Sequence, residues 1–115
     1  MNGFAEVTAE LLSRGNSIRF QATGHSMYPA IKDGEIIKVE PVEQSQIKKG
    51  DILLYRLKKG VIAHRVVYVE RRNGGPPFFV LRGDSLEICD GIVEPPQVIG
   101  RVISVEKIIV HKNGI

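Results

Sequence analysis

This sequence has a single cysteine, no tryptophan and no long apolar run. One cysteine, Cys89, excludes an intrachain disulfide and a cysteine-based zinc site. It also fits a reducing compartment. No stretch approaches the roughly 18 apolar residues a membrane-spanning helix needs, so no integral membrane segment is expected. Met1 to Glu10 lacks a basic region followed by an apolar core, so no signal peptide is expected there. The expected location is therefore the cytoplasm. Neither sign of charge dominates: 16 basic and 13 acidic side chains leave a net charge of +3. The basic pairs Lys48-Lys49, Lys58-Lys59 and Arg71-Arg72 sit beside turns, where they keep strand edges wet. Aromatic residues make up only 6% of the chain, too few for a surface that stacks bases. No nucleic-acid partner is expected.

What remains is an ordinary globular composition. The 115 residues match one domain, 1–115, and 43% hydrophobic residues suffice for a buried core. Residues 4–14 (FAEVTAELLSR) combine helix formers with Phe4, Val7, Leu11 and Leu12 at helical spacing, and Gly15-Asn16 supplies a stop. After Ser17 the period changes to two: Ile18, Phe20 and Ala22 alternate with polar residues. Further strands are expected at 35–40 (EIIKVE), 52–57 (ILLYRL), 61–69, 78–82 and 98–110, the last bent at Gly100. Lys58-Lys59-Gly60 reads as a three-residue hairpin connection, and Asn73-Gly74-Gly75-Pro76-Pro77 as a surface loop. The tail, 111–115, is expected to fray. Many short strands, turns of Gly, Pro and Asp, and one N-terminal helix indicate a mainly β fold, a compact β-barrel or coiled sheet.

Few side chains here attack or shuttle protons near neutrality. Of the three histidines, His111 lies in the tail and His25 in a turn. His64 interrupts an apolar strand, between Val61-Ile62-Ala63 and Val66-Val67. An interior histidine satisfied by a backbone carbonyl explains that position, and so does a general base. Ser26 poses the same choice between a loop hydroxyl bonding its own backbone and a presented nucleophile. Gly24, which admits close backbone approach, and Pro29, which interrupts strand pairing, favour presentation. Cys89 is expected to be a packed or partly buried thiol, and Tyr28 and His25 to face solvent.

The order of motifs adds a resemblance. Gly24-His25-Ser26-Met27-Tyr28-Pro29, Gly50-Asp51-Ile52, His64-Arg65-Val66-Val67, Gly83-Asp84-Ser85 and Val98-Ile99-Gly100-Arg101-Val102 follow one another as in type I signal peptidases and LexA-like serine peptidases. Histidine at the base position resembles the archaeal and endoplasmic-reticulum branch. The resemblance covers residues 11 to 105 and implies a coiled β-sheet or barrel of that kind. It implies Ser26 as nucleophile, His64 as general base, and Asp90 or Asp84 as the acid that orients His64, with Asp90 ahead. It implies the Ser26 N–H as oxyanion donor; Gly24 stands where bacterial relatives place a serine hydroxyl, which leaves the second donor unassigned. It implies no cofactor and no metal, and a peptide or protein substrate bound extended along a sheet edge.

The chain departs from both kinds of relative. It shows neither the membrane anchor of leader peptidases nor a DNA-binding domain before the serine turn. A stand-alone serine endopeptidase is the expectation. A non-catalytic peptide-binding module using the same groove is the alternative.

Overall fold

The structure is a computed structural model that describes residues 4–58 and 60–107, with side chains from Thr8 onward. Helix α1 spans Phe4–Ser13. Seven strands follow: β1 (Ile18–Gln21), β2 (Ile36–Glu40), β3 (Ile52–Leu57), β4 (Gly60–Glu70), β5 (Phe78–Arg82), β6 (Ile92–Val93) and β7 (Val98–Glu106). They form one antiparallel sheet in the order β1-β2-β7-β3-β4-β5-β6. Short 3-10 turns occur at Gln44–Gln46 and Pro95–Gln97.

Alternation in β3 explains how so small a chain buries two cores. Leu53 and Tyr55 point to one face, where they join Ile47, Val66, Phe79, Leu81 and Val93. Leu54 points to the other, with Leu12, Met27, Ile31, Ile37 and Val39, and Ile52 packs beside it. Two-sided burial is why ILLYRL reads as a nearly continuous apolar run. Each fully buried aliphatic side chain of this kind contributes about 1.5–3 kcal/mol. Met27 and Ile31, both 4% exposed, thereby anchor the segment that carries Ser26.

Several expectations are corrected. Leu12 is buried whereas Leu11 is 41% exposed, so the inward face of α1 carries Thr8 and Leu12, an i, i+4 pair. Phe4 and Val7, the rest of the expected stripe, have side chains outside the described residues. Leu57 pairs with Gly60, so two residues rather than three connect β3 to β4. Gly60 belongs to the strand. Where β7 was expected to bend at Gly100, a register shift leaves Ile99, the residue before it, opposite no residue of β3. The expected mainly β fold with one N-terminal helix is found, as an open sheet. Strands β1 and β6 end the sheet, and among the described residues no pairing joins them. Cys89 is exposed rather than packed. The closing strand beyond 107 and the tail at 111–115, with His111, lie outside the described residues.

Candidate active site

Ser26 sits in the connection between β1 and β2. That connection is closed at its base by Ala22 N–H to Glu35 O (2.8 Å) and Gly34 N–H to Ala22 O (2.8 Å). Gly24 turns the chain outward at φ +92°, a conformation that L side chains rarely adopt. No heavy atom outside its chain neighbours lies within 4 Å of where its Cβ would be. Backbone conformation therefore requires this glycine. Its N–H bonds Asp33 Oδ1 at 2.8 Å. Beyond it, Tyr28 N–H bonds His25 O and Ile31 N–H bonds Met27 O, and the Tyr28–Pro29 peptide is cis. His25 and Tyr28 are exposed, as expected.

Two further elements hold this turn from outside. Ser85, in the β5–β6 connection, donates from its N–H to Ser26 O (3.0 Å) and from its hydroxyl to His25 O (2.8 Å). Lys107, just after β7, donates from Nζ to Ala30 O and pairs with Glu35 Oε1 at 3.2 Å. Glu35 is 1% exposed, and the pair gives its buried carboxylate a cationic partner.

His64 lies on β4 opposite Leu53 and is 2% exposed. Both ring nitrogens are engaged. Nε2 lies 2.9 Å from Ser26 Oγ, and Nδ1 lies 2.7 Å from Asp90 Oδ2. Asp90, in the β5–β6 connection, is tied down by its own N–H on Leu81 O (2.7 Å). Its Oδ2 also accepts a short hydrogen bond from Tyr55 OH. Burial, the hydrogen bond to Asp90 and the charge of Asp90 together push the Tyr55 phenol well above the usual tyrosine range. Tyr55 therefore stays protonated, and it donates.

Asp84 is not brought to His64. Its two oxygens accept from Arg65 Nε and Nη2, both at 2.8 Å, in the bidentate geometry a guanidinium favours. That hydrogen bond raises the Arg65 guanidinium further above its ordinary range against an opposing desolvation. Arg65 Nη1 also donates to Gly50 O (2.9 Å), so the two Gly-Asp motifs meet at the residue after His64. Gly83 closes the arrangement. A Cβ there would stand 2.6 Å from Ser26 O and 3.0 Å from His64 Nε2.

Sequence reasoning named Arg65, Gly83 and Ser85 only as members of the ordered motifs, without a role, and did not name Tyr55 or Lys107. Tyr55 carried a signal of its own: a phenol on a strand buried on both faces needs a partner for its hydroxyl. Beside Ser26 opens a cleft of about 370 Å³, lined by Phe20 to Gly24, by Met27, Ile31, Ile37 and Leu54, and by Val61 to Ala63. Among the described residues no group of three or more His, Cys, Asp or Glu side chains is disposed to hold a metal ion. None of the described helices is long and apolar enough to cross a membrane.

Comparison with protein-family models matches residues 2–75 to the family described as Peptidase S24-like. A search of curated proteins finds no match. The matched span covers more than half of the 115 residues and carries both the serine turn and the histidine strand. With that span and a mainly β antiparallel sheet behind it, the chain belongs to the Peptidase S24-like family.

Proposed function

We propose that this protein is a serine endopeptidase of the histidine type, akin to the archaeal and endoplasmic-reticulum branch of signal peptidases, acting through an acyl-serine intermediate. The observation that carries this reading is the chain of contacts from Ser26 Oγ through the His64 ring to Asp90. Asp90 accepts a hydrogen bond from Nδ1–H, which leaves Nε2 as the base. Ser26 Oγ attacks the scissile carbonyl carbon as Nε2 takes the hydroxyl proton. The carbonyl oxygen becomes an oxyanion facing the Ser26 N–H, which has no acceptor among the described residues. Collapse of the tetrahedral intermediate expels the amine, which takes its proton from His64. Water then attacks the ester with His64 again as base, releasing the acid and restoring Ser26.

The substrate is a peptide lying extended in the cleft. β4 pairs with β5 only from Arg65 onward, so among the described residues no strand covers the outer side of residues 60–64. An incoming peptide adds there by main-chain hydrogen bonds, and an apolar side chain enters the cleft beside Ser26. In this reading Asp84 organises the turn and does not react.

The test is cleavage of an extended-peptide library by the wild-type chain, Ser26→Ala and His64→Ala. Each variant is expected to keep its circular dichroism spectrum and lose about 10³-fold or more in kcat/KM. Cleavage retained by a clean Ser26→Ala preparation contradicts the mechanism. Peptide binding without turnover in the wild type points instead to the non-catalytic binding module.

A further inference from the structure

We propose that Tyr55 is a positioning residue of the site: its hydroxyl holds the Asp90 carboxylate in the orientation that fixes His64. This rests on the reading of Ser26, His64 and Asp90 given above and extends that chain by one member. The register of the β3/β4 hairpin places Tyr55 for the task. Leu53 pairs with His64 and Tyr55 pairs with Ile62, so Tyr55 and His64 lie diagonally on one face. Their rings meet edge-on, with centroids 6.4 Å apart and planes at 63°. The phenol and the imidazole then donate to the same oxygen, Asp90 Oδ2.

A carboxylate held by one donor is free to swing about its terminal torsion. Two donors converging on one oxygen remove that freedom. The Tyr55 ring is 1% exposed and packed among Leu53, Val66 and Phe79, so the hydroxyl has no other place to go. The second donor also draws charge from the carboxylate, which tempers the pull of Asp90 on the imidazole. The titratable groups recorded against His64 are Asp90, from the β5–β6 connection, and Tyr55, from β3. A structural alternative exists: Asp90 simply satisfies a buried phenol and His64 does not sense the bond.

Tyr55→Phe keeps the ring and removes only the hydroxyl. Nitrogen-15 spectra of the full chain report the His64 tautomer and its titration without any substrate. In Tyr55→Phe the Nδ1 proton resonance and the pH profile of the His64 signals are expected to move, as Asp90 Oδ2 loses one of its two donors. In cleavage assays kcat is expected to fall on the order of tenfold with KM little changed. A lowered melting temperature with unaltered His64 resonances, pH profile and kcat overturns the proposal. Should Tyr55→Phe fail to fold, a fluorinated tyrosine at this position, a stronger donor, must move the Nδ1 proton resonance; an unmoved resonance then counts against Tyr55. A wild-type chain that cleaves nothing defeats the peptidase reading alone, because the spectra still decide whether Tyr55 acts on His64 through Asp90.

Discussion

A single methyl group at Gly83 would crowd Ser26 and His64 at once. The added carbon would stand 2.6 Å from Ser26 O and 3.0 Å from His64 Nε2, and backbone does not yield as a flexible side chain does. Gly83→Ala is expected to fold with a lowered melting temperature, because the overpacking costs about 1–3 kcal/mol. Its kcat/KM should fall on the order of 10²-fold, the scale of an ångström of misplacement. An alanine variant of wild-type activity would show that the serine turn tolerates displacement. At this scale the sequence told of chemistry more readily than of support. Ser26 and His64 stood out because a proline-bounded turn and an apolar strand are unusual surroundings for a hydroxyl and an imidazole. Gly83 looked like any turn glycine, since crowding from a segment 57 residues away leaves no local trace.

One hairpin and one connection share the work at the level of elements. The β3/β4 hairpin presents Tyr55 and His64 on one face, and the β5–β6 connection brings Asp84, Ser85 and Asp90 across to meet them. The Arg65–Asp84 pair fastens the connection to the hairpin, so Asp84→Ala is expected to cost about 1–3 kcal/mol by leaving the guanidinium without its carboxylate. Chemical denaturation measures that loss, and stability equal to the wild type's would remove Asp84 from this role. Strands β3 and β5 were legible to the residue because their largely apolar runs of five or six positions lie between clear turn residues. β6 was missed because two residues, Ile92 and Val93, cannot establish a period. The hairpin connection was read one residue too long because Gly60 was taken for turn, whereas it pairs with Leu57.

Across the whole molecule, an open sheet is what a peptide-binding enzyme of this kind needs. Full closure would remove the strand edges that an extended substrate joins. Here the sheet ends at β1, whose continuation lines the cleft facing residues 61–63 of β4. The order of motifs along the chain was visible in the sequence, but their convergence was not. Ser26 and His64 lie 38 residues apart, and His64 and Asp90 lie 26 apart, separations that only strand pairing closes. Covalent labelling of Ser26 by a fluorophosphonate probe, located by mass spectrometry, tests this convergence most directly. Rapid, stoichiometric labelling at Ser26 in the wild type, lost in His64→Ala with the fold intact, is the predicted result. Labelling at equal rate without the imidazole, or none at Ser26 in the wild type, would contradict it.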